Sequence, residues 1–369
     1  MTMTSNVVGS ERPLHSEYLE WAKAQLPVRY PLSVSGVPPL QIETLDPSLE
    51  DFTMVARNEY GWPPLVERIA KRYSVEPSCV VLAPGTTMAN FIACSALIEP
   101  GDEVLLEHPT YDPLRAVAEY LHASVRLFAR RPENAYHLDV AAIEEAMTHN
   151  TRLIMISNLH NPTGALDSRT DLEELAALAE ARDIYVLVDE VYLDWVYGGI
   201  ETPPSATDIS PRFVSTNSLT KVFGLAALRA GWILAEPEVA DRMKRLSGLF
   251  MNYMPHPTER IAARALDRAE EILRVQRERV DANRALVASF VETQNRLQWV
   301  RPVAGTTGFV RLDGEDVDAF IAKARADYEV SLVPGRFFGE KEYFRIGFGM
   351  ETATVAGGLE RLAELLRST

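Results

Sequence analysis

Short, unbroken runs of apolar residues recur along the first two-thirds of the chain, and amphipathic helical patterns follow several of them. A run without polar alternation is buried on both faces, which is typical of a mainly parallel sheet covered by helices. The runs predict strands at 80–82, 103–106, 125–128, 152–157, 184–188, 213–214 and 232–235, and the helical patterns lie at 88–97, 113–121 and 171–182. We therefore predict an α/β fold with a three-layer α/β/α large domain over residues 46–250.

The pattern changes after Pro255, where a long and highly charged helical segment begins. We expect this segment, at 258–294, to be bent or broken, and its charges indicate a solvated helix face. The elements predicted after it are strands at 308–312 and 343–348 and helices at 316–327 and 352–366. These elements predict a smaller α+β domain, formed by the N-terminal arm at 1–45 together with the C-terminal segment at 251–369.

Composition limits the classes of protein that this chain can belong to. The 369 residues are 47% hydrophobic and carry 37 basic against 52 acidic side chains, a formal net charge of −15. A protein that wraps nucleic acid needs a basic surface, so we predict no nucleic-acid partner. No apolar stretch reaches the ~18–20 residues needed to cross a bilayer, and residues 1–10 lack a secretory signal pattern. We therefore expect a cytoplasmic protein without a membrane segment.

Cys79 and Cys94 are the two cysteines, which is too few for a disulfide framework. Neither their spacing nor any His, Asp and Glu spacing is typical of a metal site, so we predict no metal. Cys94 lies in the apolar run 91–97 and is expected to be a small buried thiol.

Polar residues follow several predicted strands, at the carboxyl edge where open α/β sheets bind ligands. Gly85, Thr86 and Thr87 follow the first strand and open a helix, whose free N–H groups favour an anion such as phosphate. An ordinary helix cap explains the same residues. The turn at 158–164 follows the fourth strand, and its residues alone could simply mark a turn.

Two charged residues end or follow the next predicted strands. Asp189 ends a wholly apolar strand, where an acid is costly to bury unless it faces a cation or a strong donor. A capping role explains Asp189 equally well. Lys221 follows a run of hydroxyl residues and is flanked by apolar residues that would desolvate its amine, making it a nucleophile toward a carbonyl. The alternative for Lys221 is an ordinary solvated lysine.

Taken together, these positions resemble the fold type I pyridoxal-phosphate-dependent aminotransferases of the class I/II aminotransferase family. The resemblance extends from about residue 58 to the C-terminal helix. The motifs that carry it are Asn-Pro-Thr-Gly at 161–164, Asp-x-x-Tyr at 189–192, Ser-Leu-Thr-Lys at 218–221, Arg229, and Phe-Arg-Ile at 344–346. Each motif is common alone, but the order and spacing of the set are specific.

The resemblance implies the cofactor pyridoxal 5'-phosphate and assigns roles around its ring. Lys221 would form a Schiff base with the cofactor aldehyde and then shuttle the proton of the substrate Cα. Asp189 would pair with the protonated pyridine nitrogen, so that the ring can accept electrons. Asn161 and Tyr192 would hydrogen-bond the phenolic oxygen, and Tyr111 would stack on the ring face.

The resemblance also implies the two anion sites. The residues expected around the phosphate are Gly85, Thr86, Thr87, Ser218, Thr220 and Arg229. Arg345 is expected to bind the substrate carboxylate with its planar fork, and Gly36, Tyr60 and Asn161 are expected to line the substrate pocket. The Pro-Gly that usually precedes the phosphate arginine is replaced by Ala226-Ala227.

The function that the resemblance implies is transfer of an amino group from an L-amino acid to a 2-oxo acid, by a homodimer. A C–S β-lyase, a cyclase or other Cα chemistry would use the same Lys221 and Asp189. A cofactor-binding regulator is a third reading. Four aromatic residues are expected in the pocket walls: Tyr60, Trp62, Phe309 and Phe337. We therefore expect the substrate side chain to be neutral. Arg336 is expected at the entrance.

Overall fold

The computed structural model describes residues 13–55, 60–195 and 201–368. A seven-stranded sheet forms the centre of the larger unit. Its strands are β1 (Val80–Ala83), β2 (Glu103–His108), β3 (Ser124–Ala129), β4 (Thr151–Ser157), β5 (Tyr185–Asp189), β6 (Phe213–Ser218) and β7 (Gly231–Leu234). The order across the sheet is β1-β7-β6-β5-β4-β2-β3. β2 to β6 pair in parallel, whereas β7 runs antiparallel to both β1 and β6, so the predicted mainly parallel sheet is confirmed.

Helices cover both faces of this sheet. The α-helices of the described residues are α1 (Glu17–Ala24), α2 (Pro63–Tyr73), α3 (Thr86–Leu97), α4 (Asp112–Tyr120), α5 (Val140–Ala146), α6 (Arg169–Arg182), α7 (Pro237–Ser247), α8 (His256–Asp267), α9 (Ala269–Glu292), α10 (Val317–Tyr328) and α11 (Thr352–Ser368). One apolar cluster joins α3, α4 and α7 to one face, and another joins α5 and α6 to the opposite face. Neighbouring strand residues such as Leu105 and Leu106 belong to different clusters, which confirms the three layers. Within the ranges given above, no helix combines the length and apolarity needed to span a membrane.

Strand β6 is longer than its sequence pattern predicted. The apolar run ended at 214, but the strand continues through four polar residues, all of them buried. Their side chains are satisfied inside the protein: Thr216 Oγ1 donates to Asn90 Oδ1 at 2.6 Å, and Ser205 and Ser215 share a hydrogen bond of 2.9 Å. Hydrogen bonding makes the burial of these polar groups acceptable, and a hydropathy pattern does not detect it.

A second, four-stranded antiparallel sheet belongs to the C-terminal part of the chain. It contains β8 (Leu297–Trp299), β9 (Thr307–Leu312), β10 (Val333–Pro334) and β11 (Tyr343–Gly347), in the order β10-β11-β9-β8. The long charged segment before it is two helices, α8 and α9, which meet at Arg268. The expectation of a bent or broken helix is confirmed.

The N-terminal segment packs against this C-terminal part. Tyr30 forms a parallel bridge with Val330, and Gly347 N donates to Leu32 O at 2.6 Å. These contacts agree with a small unit built from both chain ends. The division at 46–250, with 1–45 and 251–369, stays a prediction, and residues 1–12 lie outside the described residues.

Both cysteines are free thiols. Cys94 is fully buried, and its Sγ lies 3.9 Å from Met155 Sδ. Burial raises the pKa of the Cys94 thiol to about 12. The prediction of a small buried thiol at this position is therefore confirmed.

The carboxyl ends of several strands meet at one edge of the large sheet. Ser157 lies beside Asp189, and Asp189 lies beside Thr216 in the strand register. β1 runs in the same direction as β6 because both are antiparallel to β7, so the turn at Gly85 opens at this edge too. The topology thus collects most of the candidate side chains in one place.

Candidate active site

A cavity of about 490 Å³ opens at this edge of the sheet. Part of its wall comes from the strand ends and part from α1 of the N-terminal segment. The predicted site residues that line it are Thr86, Thr87, Tyr111, Asn161, Asp189, Tyr192, Thr220, Lys221 and Arg229. The structure therefore brings together residues that are far apart in the sequence.

Asp189 is a buried carboxylate at the end of β5. Asn90 Nδ2 donates to its Oδ2 at 2.8 Å, and Val191 N donates to its Oδ1 at 3.1 Å. Burial raises the pKa of Asp189, although these two donors and the charge of Lys221 act in the opposite direction. Among the residues that the structure describes, no cation lies within ion-pair distance of the carboxylate. Asp189 is thus a buried anion that a cationic group would stabilise.

Lys221 lines the same cavity as Asp189. Nζ donates to Ser35 Oγ at 3.1 Å, and Val37 N donates to the backbone oxygen of Lys221 at 3.3 Å. A Cβ on Gly36 would come within 3.8 Å of the Lys221 side chain. The loop at 33–37 therefore packs directly against the lysine, and Gly36 lies beside it, although it is not part of the cavity wall.

The start of α3 forms a corner suited to an anion. Its N-cap is Gly85, at φ 84°, and no side chain among the described residues caps the first amides. Helix starts leave these N–H groups without backbone partners, and the helix dipole adds positive potential. Thr86 Oγ1 donates to Ser218 Oγ at 2.8 Å beneath this corner. The corner lacks an ordinary side-chain cap, which leaves its amides available to a ligand.

Arg229 brings a guanidinium group to the same corner. Nη2 donates to Pro84 O at 3.0 Å, and Nη1 donates to Ala226 O at 3.3 Å. A Cβ on Gly85 would lie only 2.3 Å from Nη2, so glycine makes room for the arginine. Thr220 Oγ1 is buried and has no hydrogen-bond partner within the described ranges. Although Ala226 and Ala227 replace the usual Pro-Gly, the turn places Arg229 at the start of α3.

Arg345 is a buried cation on β11, only 1% exposed. Nη1 donates to Asn161 Oδ1 at 3.2 Å, and Nη2 donates to Tyr18 OH at 3.0 Å and to Ser33 O at 3.3 Å. In the part of the chain that the structure describes, it has no carboxylate partner. A buried guanidinium held only by neutral oxygens is ready to bind a carboxylate from outside.

Three tyrosines lie around this arginine and the cavity. Tyr111 is the N-cap of α4, and burial raises its pKa. The ring of Tyr18, from α1, meets it edge-on with ring centres 5.5 Å apart. Burial acts to raise the pKa of Tyr18, but the charges of Arg345 and Lys221 outweigh burial and lower it. Tyr192 is buried and lines the cavity in the turn after β5.

The aromatic residues expected at the pocket walls lie elsewhere, which corrects that prediction. Tyr60 is 52% exposed and lines a separate small pocket with Tyr253. Trp62 packs edge-on against His256. Phe309 and Phe337 belong to an apolar cluster around Tyr18 and do not form part of the cavity wall. The argument for a neutral substrate side chain therefore loses its basis, and Tyr60 does not reach the cavity of its own chain.

Arg336, expected at the entrance, is an exposed residue in an ion pair. Nε lies 2.9 Å from Asp318 Oδ1, and the guanidinium stacks over the Phe337 ring at 4.1 Å. It does not line the cavity. Arg345 does not line the cavity either, but it donates to Asn161, which does, and it has no carboxylate partner among the described residues. Arg345 is thus the better placed of the two arginines for a substrate carboxylate.

Sequence reasoning missed five polar residues of the site: Tyr18, Lys23, Ser35, Asn90 and Ser157. Asn90 was detectable in principle. It lies in the middle of a helix of mostly small and apolar residues, and a buried amide needs a hydrogen-bond partner. Tyr18 and Ser35 come from the N-terminal segment, and no local pattern indicates where that segment packs. Their contribution follows only from the tertiary structure.

One group of side chains in the structure has the composition of a metal site. His137, Asp167 and Asp171 offer ligand atoms within 4.8 Å of one another, although their sequence spacing did not indicate a cluster. Both carboxylates already have partners, since Asp167 pairs with Arg130 and Asp171 accepts from Ser168 N. This group is therefore explained by local ion pairs and a helix cap.

Comparison with known proteins gives consistent matches over most of the chain. The sequence profile of the family Aminotransferase class I and II matches residues 53–362. The capreomycidine synthase of Streptomyces vinaceus is 29% identical over 304 residues, which cover 81% of this chain and 77% of that protein. The arginine–pyruvate transaminase of Pseudomonas aeruginosa is 28% identical over 297 residues, which cover 78% and 75%.

A solved structure extends the similarity to the whole fold. The structure of a PLP-dependent aminotransferase from Streptococcus suis matches with a TM-score of 0.91 and 29% sequence identity. The match covers 97% of this chain and 98% of that one. The N-terminal segment and the C-terminal sheet are thus part of a shared architecture.

Proposed function

Because the chain belongs to the class I and II aminotransferase family, we propose that it transfers an amino group from an L-amino acid to a 2-oxo acid with bound pyridoxal 5'-phosphate. The observation that carries this proposal is the cavity at the sheet edge. There a lysine amine, a buried carboxylate and an anion-binding helix start share one wall, as Lys221, Asp189 and Thr86.

The residues of the cavity fit the cofactor on three observations. Asp189 is a buried carboxylate without a cationic partner among the described residues, and a protonated ring nitrogen would supply one. The start of α3 has no side-chain cap, and Gly85 leaves space there for the guanidinium of Arg229. The Thr220 hydroxyl is buried without a partner in the described ranges, as expected of a group that donates a hydrogen bond to a bound phosphate.

When bound, pyridoxal phosphate supplies an aldehyde for an amine and a ring that accepts the electrons released from a Cα–H bond. Lys221 contributes the amine that would hold it and, with Nζ free, a base that moves the Cα proton. Asp189 would keep the ring nitrogen protonated by offering it a buried negative charge. Ser35 holds Nζ within the cavity through a hydrogen bond of 3.1 Å.

Arg345 is proposed to bind the α-carboxylate of the amino acid. Its fork is already oriented by Asn161 and Tyr18. Because the guanidinium is buried, an incoming carboxylate would form a strong, charge-assisted pair with it. Helix α1 contributes Leu19 and Lys23 to the cavity wall, and so limits the access of water to the reacting atoms.

Substitution of Lys221 tests the proposal directly. We expect Lys221→Ala to lower the rate of amino transfer by at least about 10²–10⁴-fold, the contribution of a positioned acid–base group. The variant should also lose the visible absorbance of lysine-bound cofactor. The matched control is Lys323→Ala, because Lys323 lies on α10 and does not line the cavity. If purified protein with added pyridoxal phosphate shows no such absorbance in the first place, the proposal is wrong.

A second candidate is other Cα chemistry on an amino acid, such as cyclisation or C–S β-elimination. It is favoured by one relative, since a protein at 29% identity is named capreomycidine synthase. Lys221 and Asp189 would serve such a reaction in the same positions. The two candidates differ in their need for a 2-oxo acid. Formation of pyruvate and ammonia from a β-substituted amino acid without a 2-oxo acid would support β-elimination over transfer.

The amino donor is best approached with a panel that includes cationic, acidic, aromatic and aliphatic amino acids. Lys23, on α1, lines the cavity and is exposed, so it could meet an acidic side chain. The rate at which each donor changes the absorbance of the bound cofactor ranks the panel. Comparison of Lys23→Ala with wild type then shows whether this lysine selects the side chain.

A further inference from the structure

A buried cluster of charged residues lies behind the turn that carries Asn161. We refer to Glu107, Arg130, Asp167 and His160 as the buried network. None of the four side chains is exposed. The cluster does not line the cavity, and the proposed chemistry does not use it.

The network is held together by one arginine between two carboxylates. Arg130 donates from Nη1 to Asp167 Oδ1 at 3.0 Å and from Nη2 to Asp167 Oδ2 at 2.8 Å. Arg130 Nε lies 2.8 Å from Glu107 Oε2, close enough for an ion pair, although the N–H is not aimed at the oxygen. Asp167 is fixed further, since it accepts from Leu138 N at 3.2 Å.

Burial changes the protonation of two members of the network, His160 and Glu107. Burial lowers the pKa of His160 well below its usual value, so the ring is neutral at pH 7. Its Nε2–H then donates to Pro109 O at 2.9 Å, and Nδ1 accepts from Thr163 Oγ1 at 2.7 Å. Burial raises the pKa of Glu107 to about 7, although the charge of Arg130 and hydrogen bonds to the carboxylate act in the opposite direction. Two carboxyl groups therefore share one guanidinium, and Glu107 needs further donors to keep its charge while buried.

Ser157 supplies those donors and connects the network to the cavity. Its N and Oγ both donate to Glu107 Oε1, at 2.7 Å and 2.6 Å. Because the hydroxyl proton is used in this way, Ser157 Oγ can only accept from Asn161 N, which lies at 3.1 Å. The side chain of Asn161 then accepts from Arg345 Nη1. A continuous path of hydrogen bonds thus runs from Glu107 to the arginine of the site.

We propose that Glu107 is a positioning residue of the active site. Through Ser157 it sets the position of Asn161, and through Asn161 the orientation of the Arg345 guanidinium toward the substrate carboxylate. This inference rests on the proposed function, because it assigns Arg345 to a carboxylate. It names a residue that acts through others and does not touch the reacting atoms.

The same strand provides a matched control at its opposite end. Glu103, at the start of β2, also accepts from a hydroxyl of β4, Thr151 Oγ1 at 2.6 Å, and pairs with an arginine of β3, Arg126, at 3.1 Å. The two clusters share a strand and a chemistry, but Arg126 is 51% exposed whereas Arg130 is fully buried. The Glu103 cluster lies at the amino end, away from the cavity. A purely structural role predicts a larger loss of stability at Glu107 without a specific loss of carboxylate binding, whereas a positioning role predicts that carboxylate binding weakens at Glu107 alone.

The experiment compares Glu107→Gln with Glu103→Gln in the pyridoxal-phosphate-loaded enzyme. The side-chain amide of a glutamine at 107 has one oxygen and one NH₂ group. The NH₂ group must face either Arg130 or Ser157 N, and both of these are donors, so one hydrogen bond or ion pair of Glu107 is replaced by two donors that face each other. We expect the inhibition constant of propionate, a probe of the carboxylate site alone, to rise about tenfold, the equivalent of one hydrogen bond to a charged group. The KM of the amino donor should rise with it and kcat should fall less. In Glu103→Gln both constants should stay within about twofold of wild type.

A second comparison tests the route through Ser157. Ser157→Ala should raise the propionate constant by a similar factor, and adding Glu107→Gln to it should raise the constant no further, because the connection is already broken. Independent, additive effects would overturn the proposal. So would an unchanged propionate constant in Glu107→Gln, whatever the loss of melting temperature.

The design distinguishes three further outcomes. If Glu107→Gln does not fold, Glu107→Asp and Ser157→Ala carry the same measurement, and normal propionate binding in both would overturn the proposal. If wild-type enzyme binds pyridoxal phosphate but not propionate, the assignment of Arg345 is wrong. Failure of wild type to bind pyridoxal phosphate contradicts the proposed function itself.

Discussion

Asn90 holds the carboxylate of Asp189 from the middle of a helix. Its Nδ2 donates to Asp189 and its Oδ1 accepts from Thr216, so one amide connects α3 with strands β5 and β6. Both partners are buried, and each would be left unsatisfied without the amide. Asn90 therefore has a structural and a chemical role at the same time.

We predict that Asn90→Ala lowers the free energy of unfolding by about 1–3 kcal/mol, the penalty for a buried polar group that loses its partner. It should also weaken the binding of pyridoxal phosphate, because Asp189 loses its orientation. Denaturant unfolding and a fluorescence titration measure the two effects. Ser95→Ala is the control on the same helix, since Ser95 Oγ has no partner among the described residues. Equal behaviour of the two variants would contradict the role of Asn90.

Glu190 makes stability depend on pH. It accepts from Ser205 Oγ and from Ala206 N, both at 2.7 Å. Burial raises the pKa of Glu190 to about 7, against 4.5 for the free side chain. Between these two pH values the folded protein keeps a proton that the unfolded chain releases, so rising pH favours unfolding. The stabilisation is complete below about pH 4.5 and is lost as the pH rises through 7.

We predict that Glu190→Gln, which cannot titrate, gains stability relative to wild type as the pH rises. The difference in the free energy of unfolding should grow by about 3 kcal/mol between pH 4.5 and 7.5. Urea unfolding at a series of pH values measures it. Glu364→Gln, on α11 near the C-terminus, is the control. A difference that does not change with pH would show that Glu190 is charged in the folded protein.

Single residues also show how far the sequence could predict the site. Lys221, Asp189 and Asn161 follow strands or short motifs, and the structure places all three on one cavity wall. Their roles stay predictions. Tyr18 was missed because its function depends on where α1 packs, and nothing in the local pattern of α1 specifies that. The aromatic wall was wrong for the same reason, since hydrophobicity alone does not distinguish a core residue such as Phe309 from a pocket residue.

At the level of elements, the turn between β1 and α3 has the strictest geometric requirement. Gly85 has a φ of 84°, and its missing side chain is where Arg229 Nη2 lies. A substitution at this position would strain the backbone and displace the guanidinium together. Two features therefore require glycine at position 85: the positive φ of the backbone and the close approach of Arg229.

We predict that Gly85→Ala weakens the binding of pyridoxal phosphate about tenfold or more, as expected from losing a charge-assisted contact. Pyridoxal, which lacks the phosphate, should bind as it does to wild type. Equilibrium titration with both compounds measures the difference. Gly101→Ala is the control, because Gly101 has a similar φ of 97° but open space around it. Equal weakening for both compounds would place the phosphate elsewhere.

Elements also differed in how well they could be predicted. The strands β2, β4 and β5 are apolar and were found, and the break between α8 and α9 was expected. Strand β6 was cut short in the prediction because four buried polar residues end it. Polar strands of this kind are stabilised by specific partners on other elements, and those partners are known only once the fold is known.

At the scale of the whole molecule, we propose a homodimer. Several large apolar side chains are exposed in the segment after α7, among them Leu249 at 78%, Phe250 at 51% and Tyr253 at 55%. Tyr60 lies near them, since it lines the same small pocket as Tyr253. An exposed apolar patch of this kind is typical of a surface that is covered in an assembly.

We predict that the double substitution Leu249→Glu with Phe250→Glu converts the dimer to a monomer, because two charges would be buried at the interface. Light scattering coupled to size exclusion measures the mass. Val275→Glu is the control, since Val275 is also exposed, at 53%, but lies on the charged helix α9. A wild-type protein that runs as a monomer would contradict the proposal, as would a dimer that survives the double substitution.

The reversed strand β7 has a consequence for the order in which the protein can fold. Among the described strands, β1 pairs with β7 alone, and this register joins Val80 to Leu234. Contacts between such distant parts of the chain form late, because a long loop must close before they can stabilise anything. A nascent chain that has not yet reached β7 leaves β1 without a neighbour and the Gly85 turn away from Lys221. The phosphate corner can therefore be assembled only after most of the large sheet has been synthesised.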